Sequence, residues 1–145
     1  MRLYLDTNVL LDLYFPGRGG KDLAKRVIDI GTKPFSVNRL SSLSLANIAY
    51  VLRKTISREE TKKCIQEINS VCSILDLGSM DILRAIRSSC PDFEDALQIA
   101  CAEGQCDVII TNDKKHFEGH TWLPVYTPQE FLDDLEKHQQ PRETS

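Results

Sequence analysis

Apolar residues recur along the chain in two rhythms, short β-prone runs and longer stretches with helical spacing. Arg2–Leu5 (RLYL) is the first short run, and it stops at Asp6-Thr7-Asn8, residue types that turn a chain or cap a helix. The apolar segment Val9–Phe15 follows and breaks at Pro16-Gly17-Arg18-Gly19-Gly20, which predicts a flexible basic loop. Leu23, Ala24, Val27 and Ile28 share one face of a predicted helix over Lys21–Ile30, with Gly31 as its stop. Pro34–Val37 is the candidate second strand. Ser41 and Ser42 are candidate caps for a helix with Leu45, Ile48, Ala49 and Leu52 on its apolar face and Asn47 off it.

Ser57-Arg58-Glu59-Glu60 is a capping box for a helix to about Val71, and Ser73–Leu77 is a third candidate strand. Ser79 is expected to cap a helix ending near Cys90, since Pro91 disfavours helical geometry in the residue before it. Asp92-Phe93-Glu94-Asp95 resembles a capping box ahead of Ala96–Glu103, with Gly104 as the stop. Val108–Thr111 is the most buried-looking strand, and Pro124–Tyr126 is a fifth. Thr127-Pro128-Gln129-Glu130 opens a last helix ending near His138. Strands alternating with helices predict an α/β fold with a parallel sheet of about five strands, one domain over residues 1–138 and a disordered tail over 139–145.

A chain of 145 residues is long enough to bury roughly 70% of its unfolded surface in a single core. Its 18 Lys and Arg against 21 Asp and Glu give a net charge of −3, so no whole-molecule basic field draws in a polyanion. A nucleic-acid partner would need a local patch or a metal ion. The apolar stretches, such as Val9–Leu11 and Val108–Ile110, are far too short to span a bilayer, and the N-terminus does not resemble a secretory signal, so the cytoplasm is the expected compartment. Five cysteines, odd in number and without CxxC spacing, fit reduced thiols.

In an open parallel sheet, ligands bind outside the carboxyl ends of the strands. Asp6 directly follows the first predicted strand, and Asp113 stands two residues beyond the fourth. If these strands are neighbours, the two carboxylates share a rim, and Asp95 can join them from the first turn of its helix. Like unit charges about 4 Å apart cost on the order of 4 kcal/mol at an effective dielectric of 20, a cost that a divalent cation removes. Oxygen donors without convergent His or Cys favour Mg²⁺ or Mn²⁺ over zinc and suit phosphoryl chemistry.

Each aspartate also has a plainer role open to it: Asp6 and Asn8 as helix caps, Asp95 as part of the Asp92 box, Asp113 as a solvated turn residue. Glu94 and Asp12 are expected to be exposed or supporting groups. Cys101, Cys106, His116 and His120 form C-x₄-C-x₉-H-x₃-H, outside the usual zinc spacing, and His116 fits a surface loop. Trp122 and the tyrosines are expected in the core or an interface. Arg18, Lys21, Arg39, Lys114 and Lys115 flank the predicted rim and suit either phosphate contacts or ordinary solvated surface.

Three stretches taken together resemble a known family. Leu5-Asp6-Thr7-Asn8-Val9-Leu10-Leu11-Asp12, Asp95-Ala96-Leu97-Gln98-Ile99-Ala100 and Ile110-Thr111-Asn112-Asp113 are similar to the PIN domain as found in VapC-type toxin ribonucleases, in order and spacing from Leu3 to about Thr127. The resemblance implies an α/β/α sandwich with a central parallel sheet and metal-dependent endonuclease cleavage of RNA. Asp6, Asp95 and Asp113 would hold Mg²⁺ or Mn²⁺, supported by Thr7, Asn8 and Asn112. It also implies an antitoxin partner and a homodimer, for which apolar helices such as Ile56–Val71 offer surface. Two positions depart from the pattern. Asn47 stands where the family often has Glu, a weaker fourth ligand through its amide oxygen. His116-Phe117 stands where many relatives have an acid before Phe, leaving Asp113 the only carboxylate on its loop. The alternatives are a PIN-like scaffold that binds RNA or a protein without cutting, and a receiver-type domain. For the latter the chain offers no clear phosphoacceptor Asp or partner Lys.

Overall fold

The computed structural model describes residues 1–139. Five strands, β1 (Arg2–Leu5), β2 (Val37–Ser41), β3 (Ser73–Leu75), β4 (Val108–Ile110) and β5 (Val125–Tyr126), form one all-parallel sheet in the order β3-β2-β1-β4-β5. The helices are α1 (Thr7–Leu11), α2 (Lys21–Gly31), α3 (Ser42–Leu52), α4 (Arg58–Val71), α5 (Ser79–Ile86), α6 (Phe93–Glu103), α7 (Lys114–Phe117) and α8 (Pro128–Gln139).

Strand alternation sorts the core into two layers. Leu3, Leu5, Val108 and Ile110 face one way and pack with Val9, Leu10, Val27, Ile48, Ile68 and Phe131 from α1, α2, α3, α4 and α8. Tyr4 and Ile109 face the other way and pack with Ala85, Ala96, Ile99 and Phe117 from α5, α6 and α7. The central strands are covered on both faces, as parallel sheets require, which gives the predicted α/β/α sandwich. The five cysteines are free, and Cys101 and Cys106 lie within the second layer, where burial pushes their thiols up to about 12 and about 11. No zinc-type cluster exists among the described residues.

Several boundaries move. The second strand is Val37–Ser41 rather than Pro34–Val37, because Phe35 turns the chain in the left-handed region at φ 69° and Val37 N–H then donates to the Met1 carbonyl at 3.0 Å. Its polar residues can be buried because the Asn38 amide donates to the carbonyls of Ile28 (2.9 Å) and Val71 (3.1 Å). Gly31 lies inside α2 rather than past its end: a Cβ there would fall 1.8 Å from Asn38 Oδ1, so the helix needs glycine to pass that amide.

α5 ends at Ile86, short of Cys90, and its cap is Gly78, whose N–H donates to Asp81 at 2.9 Å. α6 begins at Phe93, three residues earlier than expected, with Asp92 accepting from Asp95 N–H at 2.9 Å. Pro16–Arg18 forms a 3-10 turn within the expected loop, and α7 is a short helix that the apolar pattern does not announce. Gln139 closes α8, so the expected disordered tail otherwise lies outside the described residues.

Candidate active site

The chain winds from β1 through β2 to β3 on one side and then crosses to β4 and β5 on the other, so the direction switches between β1 and β4. The crevice of such a sheet opens at the carboxyl ends of those two strands. Asp6 and Asp113 stand there, and Asp6 N–H donates to the Ile110 carbonyl at 3.0 Å, tying the two strand ends together.

Asp6 is only 6% exposed. One of its carboxylate oxygens accepts from Thr7 N–H at 2.7 Å and the other from the Thr111 hydroxyl at 2.8 Å. The Thr111 hydroxyl also accepts from Asp113 N–H at 2.9 Å, so a single residue fixes both aspartates. Asn8 completes the frame: its amide donates to Asp113 (3.0 Å) while its oxygen accepts from Asn112 N–H (3.2 Å). The Asn112 amide in turn donates to Asp12 at 2.8 Å. Of the two roles expected for Asp12, exposed or supporting, it is buried in the supporting one, lying so close to Gly20 that a Cβ there would overlap it.

Asp95 enters from the first turn of α6 and is the point nearest His116, whose Nδ1 is 3.6 Å from its carboxylate. Burial pushes the Asp6 carboxyl up to about 6; the hydrogen bonds from Thr111 and Thr7 oppose this, and the charges of Asp95 and Asp113 add to it. Asp95 is also raised, first by burial and then by Asp92, with His116 opposing and Glu94 and Asp113 adding. Asp6 therefore senses the charges of Asp95 and Asp113, and Asp95 that of Asp113, across the rim.

Asn47 reaches the rim from α3 and donates its amide to Glu94 at 2.7 Å, so it meets the acid adjacent to Asp95. The basic residues divide. Arg18 is held by Asp12 at 2.7 Å and Lys114 by Glu130 at 3.1 Å. Arg39 is a correction: its guanidinium donates to the Gln105 carbonyl, just ahead of β4 and so away from the rim, because β2 aims it across the sheet toward the amino end of that strand. Lys21 lines a separate hollow of about 490 Å³ beside Tyr14 and Glu67. Lys115 alone of the five shares a hollow with Asp95.

Sequence reasoning passes over Thr111, although its place between an apolar strand and Asp113 is a usable signal. It also passes over a buried polar chain beneath Asp95, where Gln98 Oε1 accepts from Tyr4 OH and Ser44 Oγ, both at 3.3 Å. The single Gln on an otherwise Ala, Ile and Cys face of α6 marks it. Of the two places expected for Trp122, the core is excluded: it is 70% exposed on the turn after α7.

Oxygen donors from Asp6, Asp95 and Asp113, with a buried Thr7 hydroxyl that has no partner, match the hard-cation chemistry of Mg²⁺ or Mn²⁺. No three acidic, His or Cys side chains among the described residues stand close enough to enclose an ion by themselves.

The PIN domain family profile matches residues 2–115, and the chain belongs to that family. No curated protein sequence matches it. The fold is similar to that in a structure of VapBC2 from Rickettsia felis bound to a DNA fragment from their promoter, at 18% identity and TM-score 0.71 over 86% of this chain and 97% of that one. It is likewise similar to VapBC-1 from nontypeable Haemophilus influenzae, at 19% identity and TM-score 0.69 over 89% and 99%. A third similar structure is VapC20 of Mycobacterium tuberculosis, a sarcin-ricin loop cleaving toxin, at 18% identity and TM-score 0.57 over 74% and 86%.

Proposed function

We propose that this PIN-domain protein is a metal-dependent endoribonuclease that hydrolyses phosphodiester bonds in single-stranded or loop RNA, acting in the cytoplasm as the toxin of a toxin–antitoxin pair. The observation that carries the reading is the placement of Asp6 and Asp113 at the β1/β4 switch point, with the charge of Asp95 acting on Asp6 and that of Asp113 acting on Asp95. Asp6, Asp95 and Asp113 are the metal ligands, with Asn47 near them through Glu94. When bound, Mg²⁺ or Mn²⁺ supplies Lewis-acid chemistry at the phosphate and the attacking water.

The chain's own residues hold the geometry. Thr111 keeps Asp6 in place and the Asn8–Asn112 frame keeps Asp113 in place, while His116 Nδ1 stands 3.6 Å from one oxygen of Asp95. Lys115 lies beside Asp95 to meet a phosphate. The antitoxin partner is argued from the fold's likeness to VapBC complexes. The homodimer is argued from α5, which leaves Met80, Leu83 and Ile86 exposed on its surface.

A scaffold that binds RNA or a protein without cutting is the competing reading, favoured by the absence of a closed three-ligand cluster among the described residues. Incubation of labelled RNA with Mn²⁺ separates them. The nuclease cuts with Mn²⁺ and not in EDTA, and Asp6→Asn or Asp95→Asn abolishes cutting with the fold intact. Equal cleavage by Asp6→Asn in EDTA would identify a contaminant and overturn the assignment.

A further inference from the structure

Two hollows adjoin beside the rim on the α5/α6 layer. The smaller, about 340 Å³, has Asp92, Asp95, Lys115, His116 and His120 in its wall. The larger, about 600 Å³, includes His120, Arg84, Arg87 and Trp122. His120 belongs to both walls and is fixed by a 3.1 Å hydrogen bond between its Nδ1 and Ser89 Oγ, so the hollows form one trough leading away from the carboxylates.

The far end of the trough is built around an exposed tryptophan. The Arg84 guanidinium lies 5.7 Å from the centre of the Trp122 ring, and its other side is held by Glu103 at 3.1 Å. Glu103 also accepts from the Thr121 hydroxyl at 3.1 Å, so the acid on the trough wall is already engaged. Arg87 is exposed at the trough edge. A large aromatic face with a guanidinium beside it, in a concave surface lined by further cationic side chains, is the chemistry that stacks bases and tracks a phosphate backbone. A flat apolar patch would suit a protein partner; this surface is concave, and although Asp92, Asp95 and Glu103 balance Arg84, Arg87 and Lys115 along it, Arg87 and Lys115 have no ion pair among the described residues, while Glu103 is taken up by Arg84 and Thr121.

We propose that the trough is the track for single-stranded RNA flanking the scissile phosphate, with Trp122 as the stacking platform and Arg84, Arg87, Lys115 and His120 meeting the backbone. The proposal rests on the ribonuclease reading of the rim and names where that substrate lies. Trp122 is the only tryptophan in the chain, so its fluorescence reports stacking directly.

The test titrates a single-stranded RNA of about 12 nucleotides into the wild-type protein with Ca²⁺ in place of Mg²⁺, and follows tryptophan emission and RNA anisotropy. Emission is quenched on binding; Trp122→Ala weakens binding roughly tenfold, Trp122→Phe recovers part of the loss, and Arg87→Glu weakens binding and lowers the salt dependence by about one ion. RNA that binds with unchanged emission and unchanged affinity in Trp122→Ala and Arg87→Glu, while cleavage still needs Asp6, would overturn the track and leave the rim reading standing. Weakened binding in those variants, with cleavage indifferent to Asp6→Asn, would keep the track and overturn the ribonuclease site. Emission that changes with protein concentration instead of RNA would make the trough a self-association face and overturn the proposal.

Discussion

The β1–β4 strand pair is closed in opposite ways at its two ends. At the amino end Arg2 and Asp107 meet as a bidentate pair at 3.0 and 3.3 Å, and Arg2 N–H adds a third bond to the same carboxylate at 2.7 Å. Those bonds hold the Asp107 carboxyl below its ordinary value. At the carboxyl end Asp6, Asp95 and Asp113 gather without a Lys or Arg ion pair among the described residues, and Asp6 rises to about 6. The same two strands thus compensate charge where it serves only the fold and accumulate it where the crevice opens. Electrostatic cost held in a preorganised frame is a common mark of a functional site.

The largest departure from that comparison is expected from Asp6→Asn in metal-free protein. A carboxyl whose folded value lies above its unfolded one loses stability as pH rises between about 4 and about 6, and the cost stays at full size above that window. Asp6→Asn therefore melts higher than the wild type at pH 8, by on the order of 2 kcal/mol, and the two converge near pH 4. Thermal melts across pH with EDTA present check this. A wild type that is the more stable of the two at pH 8 would remove the frustration from the account.

Thr111→Val keeps the shape of a buried side chain and deletes the hydroxyl shared by Asp6 and Asp113. A lost hydrogen bond to a charged group costs about 1.5–3 kcal/mol, so the melt at pH 8 falls, and the loss shrinks at low pH where Asp6 is neutral. Equal destabilisation at pH 4 and pH 8 would show that Thr111 matters for packing and not for the carboxylate.

Much of this rim is legible in the chain because two short apolar runs end on Asp6 and near Asp113, and the strand-helix alternation makes their strands parallel. The remainder depends on tertiary contacts. β2 is hidden because Asn38 and Ser41 look like loop residues until the carbonyls of Ile28 and Val71 supply partners to Asn38 and Ser44 supplies them to Ser41. The direction of Arg39 and the meeting of Asn47 with Glu94 depend on the sheet register and on the packing of α3 beside α6, which no local spacing encodes. Trp122 reads from the sequence as core or interface, and only the course of the turn after α7 shows it outside the core.

Smaller effects sharpen the contrast. Asn47→Ala removes one hydrogen bond from Glu94, and about 0.5–1.5 kcal/mol per bond predicts a fall in RNA cleavage of roughly two- to tenfold, measured as kcat/KM. No change would place the pair outside the working site. Arg2→Ala and Asp107→Asn, at the compensated end, leave RNA cleavage at the wild-type rate and barely move the melting temperature, since the pair is nearly half exposed. A loss of cleavage from either would erase the distinction between the two ends.

The most direct test of the rim as a metal site is a calorimetric titration of Mn²⁺ into the wild type, Asp6→Asn, Asp95→Asn and Asp113→Asn at pH 7.5. The account predicts binding by the wild type and loss of at least tenfold in affinity for each variant. Equal Mn²⁺ affinity across all four proteins would contradict it.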